Sequence, residues 1–212
     1  MGKGYRTGFV VILILIISIV GVYICSQFIH RSTKKSGFSV VVDKISKYGY
    51  TLDERDSKLM RSKFKELKKV LKNNDDINFE EYSKLLAQMY IIDLYDVDKK
   101  VNKYDVPCLE YIYPSENDKF KKMIKEEFYS QLVDNSDGDR KQELPSIKSI
   151  EVTKTESSKI EINGKDYEGY DVTISWEYDK DLGYDKKSVV SVVIDKEKAY
   201  VVKHSPIIDW FL

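Results

Sequence analysis

The sequence predicts an α+β domain, three helices packed on one face of a curved antiparallel sheet of about four strands, carried behind an N-terminal transmembrane helix. Three observations predict it. No charge falls between Arg6 and His30, and Phe9 to Phe28 is dominated by apolar residues. Apolar residues then recur at a period near 3.6 through the first half of the remaining chain. In the second half the period becomes 2.

Twenty residues at a helical rise of 1.5 Å span about 30 Å, the hydrocarbon thickness of a bilayer. A cleaved signal peptide would have an apolar region of about 7–15 residues and a small-x-small site, and neither is present. A lipobox at Cys25 would need a small residue before the cysteine, where Ile24 and Tyr23 stand. The helix has no polar face, which argues against burial in a soluble domain. The resulting division is a short tail (1–8), a transmembrane helix (9–29), a hinge (30–37), an α+β domain (38–206) and a C-terminal tail (207–212). Lys3 and Arg6 precede the span, and Arg31, Lys34 and Lys35 follow it, so positive charge does not choose an orientation. A signal-anchor at the start of a chain commonly leaves the C-terminal domain outside the cell membrane; the inverted, cytoplasmic arrangement stays open.

The domain has the length of one folding unit. Its host chain carries 35 basic and 35 acidic residues, the basic ones mostly lysine, which argues against a general nucleic-acid binder. Cys108 is the one cysteine outside the span, so the core cannot rest on an internal disulfide.

Phe38–Asp43 reads as a strand or extended arm, and the acidic cluster Asp53–Asp56 prepares the first helix. Met60, Phe64, Leu67 and Leu71 share one face of that helix, which Asn73–Asp76 ends. Asn78 with Glu81 forms a capping-box variant opening the second helix, with Ile77 placed to staple onto Tyr82. Tyr82, Leu85, Leu86, Met89 and Tyr90 make its buried face, and Ile91, Ile92 and Leu94 extend it, which marks it as the central helix. Pro107 forbids continuation. Ser115 and Asp118 open the third helix, with Phe120, Ile124, Phe128 and Leu132 as its stripe. Alternation then runs through Ile150 and Val152, Ile160 and Ile162, Tyr170 to Tyr178, Val190 to Ile194, and Tyr200 with Val202. Asn163-Gly164 is a tight-hairpin signal, and Asp181–Tyr184 turns the chain.

Anchor, hinge, three helices and a four-strand meander together resemble the nuclear transport factor 2-like fold, a cone of helices held in a bent sheet. More narrowly, the chain resembles single-pass membrane proteins of low-GC Gram-positive bacteria. The motifs that carry this are Tyr48-Gly49-Tyr50-Thr51-Leu52, Ile92-Asp93-Leu94-Tyr95, Lys103-Tyr104-Asp105-Val106 and Asp181-Leu182-Gly183-Tyr184-Asp185. Related chains tend to carry Gly-Gly after Asp-Val, where this one has Pro107-Cys108. Anchored domains of similar architecture include the assembly subunit of type IV secretion and conjugation machines, although fold alone carries no function.

Little catalytic chemistry is legible. His30 flanks the membrane, and His204 reads as an exposed imidazole at the end of the last strand; neither has a partner for a triad or zinc site. Cys108 has acidic neighbours, Asp105 and Glu110, which oppose a reactive thiolate, so it reads as a semi-buried small hydrophobe. Asp134–Asp139 fails the EF-hand register, because Gly138 falls at position 5 from Asp134. Asp93 interrupts an apolar helix face. It is either a capping or hydrogen-bonding group, or an acid–base residue aimed into a cavity of the cone. Asp105 belongs to the same acidic group. Tyr90, Tyr95, Tyr170, Trp176 and Tyr178 either line a ligand pocket or fill the core. No cofactor or metal is implied. The expectation is a membrane-anchored, non-enzymatic interaction or assembly domain whose partners are other envelope proteins; the alternative is a small-molecule or lipid-binding domain using the cone cavity.

Overall fold

A computed structural model describes residues 39–72 and 76–205, together with the backbone of 208–209. The expected anchor, its preceding tail and the hinge lie outside the described residues. Among the described residues, no helix is long and apolar enough to cross a membrane.

The domain is α+β, with three helices against an antiparallel sheet. Strands β1 (Val41–Ile45) and β2 (Tyr50–Asp53) form a two-stranded hairpin. Of the strand or extended arm expected at Phe38–Asp43, a strand forms, and a turn through Gly49, at φ +74°, pairs it with the unexpected β2 before Ser57 opens α1. Helix α1 (Lys58–Val70) is N-capped by the Ser57 hydroxyl, which accepts from the Met60 amide at 3.2 Å. Its expected stripe is buried.

Helix α2 (Phe79–Tyr95) is the central element. Asn78 Oδ1 accepts from the Glu81 amide at 3.0 Å, as the capping signature predicts. Twelve of its seventeen residues are buried, so both sides of the helix meet protein. It packs on α1 and on strands β3 to β6.

The third helical segment departs from the even stripe. Helix α3 (Asn117–Met123) passes into a π turn (Ile124–Phe128), where the Tyr129 amide donates to the Ile124 carbonyl at 2.7 Å. The extra residue moves the buried position from Phe128 to Tyr129, which is fully buried and donates from its hydroxyl to Leu94 O at 2.7 Å. A carbonyl at the C-terminus of α2, otherwise without an intrahelical partner, is thereby satisfied.

The main sheet runs in the order β3 (Ile147–Ile162), β4 (Lys165–Tyr178), β5 (Lys187–Asp195), β6 (Lys198–Ser205) and β7 (Ile208–Asp209), all antiparallel. Asn163 and Gly164 both take positive φ, +52° and +76°, as the two-residue hairpin between β3 and β4 requires. Val192 and Val201 face α2, while Val193 and Val202 are equally buried on the other face beneath Ile160, Ile162 and Tyr167. The β3–β4 hairpin thus curls over the back of the sheet. Gly169 permits the curl's close approach, since a Cβ there would lie 2.2 Å from the Val192 carbonyl oxygen.

Candidate functional site

Asp93 and the tyrosines do not share a cavity. The anticipated site separates into a filled core, a polar crevice and an apolar groove.

The filled part lies between α2 and the sheet. Tyr90 is fully buried, and its hydroxyl lies 3.2 Å from His204 Nδ1. His204 is itself 0% exposed, which corrects the expectation of a strand-end imidazole at the surface. The bulge after Ser191 and the pairing of His204 with Val190 turn this side chain inward. Burial depresses its pKa to about 3, so it is neutral at physiological pH. Trp176 packs 5.0 Å from Tyr95, and Tyr178 lies 6.5 Å from Tyr95. Tyr170 is half-buried against the same core.

The polar crevice, about 240 Å³, lies between β2, the C-terminal part of α2 and the 96–113 loop. Asp93 projects from α2 and is 17% exposed. Its Oδ1 accepts from Lys100 Nζ at 2.5 Å and its Oδ2 from the Cys108 amide at 2.6 Å. Burial pulls the Lys100 ammonium down, but Asp93 and Asp105 outweigh this and hold it above its ordinary value. Asp105 accepts from both terminal nitrogens of Arg55 and from the Val101 amide at 3.0 Å. The interruption of the apolar face at Asp93 is thus a clamp fastening the loop to the helix. Thr51, Asp93 and Asp105, distant in sequence, meet here.

Cys108 sits at φ +63°, in the left-handed region that favours glycine. Its thiol is buried and donates to the Tyr90 carbonyl at 3.3 Å. Burial, reinforced by Asp93, pushes its pKa well above the usual value and suppresses the thiolate.

Sequence reasoning did not single out Glu110, a strongly perturbed carboxylate of the crevice. Its two oxygens accept from the Thr51 amide and hydroxyl, both at 2.8 Å. Burial nevertheless lifts it to about 7, and Asp56 nearby to about 6. No local pattern marks Glu110, because its environment is assembled from β2 and α2, distant in sequence. Among the described residues, no group of three or more His, Cys, Asp or Glu side chains is placed to hold a metal ion.

The apolar groove encloses about 440 Å³ where the α3 segment, the 142–145 stretch and the Tyr184–Asp185 turn converge. Met123, Phe128, Leu132, Leu144 and Pro145 contribute its walls, with Tyr95, Val97 and Tyr129 beneath. Tyr95 is 3% exposed, and its buried hydroxyl has no hydrogen-bond partner among the described residues. Tyr178, by contrast, donates to Asp185 O at 2.9 Å. Of the predicted site residues, Tyr95 alone lines this groove, and Asp93 and Asp105 line the crevice.

No protein-family model, no curated protein and no solved structure matches this chain.

Proposed function

We propose that this chain is a membrane-tethered, non-enzymatic interaction domain of nuclear transport factor 2-like architecture, displayed at the cell surface and recognising an envelope protein through the apolar groove above Tyr95. One observation carries the reading: an open, largely apolar groove ends on a buried hydroxyl that lacks an acceptor among the described residues. A buried donor without a partner is disfavoured, and a partner presenting a carbonyl among apolar side chains would satisfy it. The crevice supports the same reading, because Asp93, Asp105, Lys100 and Arg55 are engaged with one another or with backbone groups. Membrane tethering rests on the uncharged span at 9–29.

The test is site-specific photocrosslinking in cells carrying the full-length protein, with the crosslinker at Leu132 in the groove or at Lys159 on the β3–β4 hairpin. The expected outcome is the same one or few envelope proteins at Leu132, lost on Leu144→Glu, and absent at Lys159. Identical patterns from both positions, or none from either, would defeat the proposal.

A second reading is favoured by the same hydroxyl and by the groove volume, which lies within the usual range for small ligands. An apolar small molecule bearing a hydrogen-bond acceptor would also fit. Native mass spectrometry distinguishes it: a co-purifying small molecule lost on Tyr95→Phe would replace the protein partner.

A further inference from the structure

The described chain begins with an exposed apolar edge. Val40, Val41 and Val42 are 60%, 51% and 49% exposed. A bulge between Val41 and Asp43 breaks the regular in-and-out alternation, so consecutive valines all reach solvent. Large exposed aliphatic residues on an edge strand are an aggregation hazard unless something covers them.

Beside this edge lies a basic face. Lys65, Lys68 and Lys69 on α1, with Lys72 in the following turn, are exposed and spaced at i, i+3, i+4 and i+7. They occupy the side opposite the buried Met60, Phe64 and Leu67. Lys68 Nζ bonds both oxygens of Asp43, at 2.7 and 2.9 Å, and so fixes the lysine face against β1. From Arg61 to Lys72 the sequence holds six cationic residues and one anionic residue.

We infer that β1 and the lysine face of α1 dock the domain onto the anionic phospholipid surface in which the chain is anchored. This rests on the anchored reading of residues 9–29. The hinge of 30–37 reaches at most about 28 Å when fully extended. A domain of this length is about 40 Å across. The tether is therefore shorter than the domain, and the start of β1 stays at the membrane-facing end. There the valines can enter the interfacial region, and each lysine within a Debye length of anionic headgroups favours the docked state about fivefold.

The experiment uses the full-length protein with Cys25→Ser, reconstituted in phosphatidylcholine vesicles with or without a third of phosphatidylglycerol. A nitroxide at Val41→Cys reports collision with lipid-soluble oxygen and with an aqueous nickel chelate. The expected result is protection from nickel on the anionic vesicles, falling severalfold on phosphatidylcholine alone. Combining Lys65→Glu, Lys68→Glu, Lys69→Glu and Lys72→Glu should abolish it. A label equally open to nickel on both lipids overturns the inference. Protection that ignores lipid charge and the lysines also overturns it, and points to a second copy of the chain as the cover. Carbonate extraction separates the two readings. Protein released by carbonate removes the anchor and this inference together, whereas retained protein with a water-exposed label removes this inference alone.

Discussion

At the residue scale, Asp93 and Asp105 in the acidic crevice are each held by cationic and backbone partners. Asp93 joins α2 to Lys100 and to the Cys108 amide, and both charged side chains are mostly buried. Removing one partner of such a pair leaves the other charge buried without compensation. Asp93→Ala is expected to cost about 3 kcal/mol, read as a shift in the denaturant midpoint. A wild-type midpoint in that variant would show that the clamp does not hold the loop.

Glu110 and His204 pull stability in different directions with pH. Glu110 titrates near 7 in the fold and at the lower, ordinary glutamate value when unfolded. The folded state therefore binds the proton more tightly, and stability falls as pH rises through that window. His204, depressed to about 3, makes the unfolded state the better proton binder, so stability rises with pH between about 3 and the ordinary histidine value. Glu110→Gln should weaken the decline between about pH 6 and 7, to which Asp56 adds at the lower end and which His204 opposes. Chemical denaturation across that range checks it; an unchanged slope would assign the decline to another group.

At the scale of elements, two local departures from regularity position the groove and the sheet. The π turn brings Tyr129, rather than Phe128, under the groove and onto the Leu94 carbonyl. A period-based stripe could not anticipate it, since Ile124, Phe128 and Leu132 fit an ordinary helix and the extra residue shows only in the hydrogen bonds. The hairpin curl depends on Gly169. Gly169→Val should force β4 away from β5 and cost about 1–3 kcal/mol, as other overpacked sites do. Faster amide exchange at Val192 and Val193 would locate the damage, and unaltered exchange there would disprove the close approach.

At the scale of the molecule, a filled interior separates the apolar groove from the polar crevice. Tyr90, Trp176 and His204 occupy the space between α2 and the sheet, while the groove opens beside α3 and the crevice beside β2. The exposed valines and the lysine face form a further surface at the start of the described residues.

The sequence by itself determined the α+β class, the central helix and its Asn78 cap, the Asn163-Gly164 hairpin and the buried faces of α1 and α2. These follow from local periodicity and from capping and turn chemistry confined to a few neighbouring residues. Asp93 was legible as an anomaly for the same reason, since it breaks a pattern. Its partners were not legible, because Lys100 and Cys108 reach it through a loop whose path depends on a left-handed residue that composition gives no reason to expect. Only the tertiary structure decided that His204 is buried, that Glu110 is perturbed and that Tyr95 meets the groove. Each of these depends on burial created by segments far apart in sequence, and desolvation is a property of the assembled surroundings rather than of the residue that experiences it.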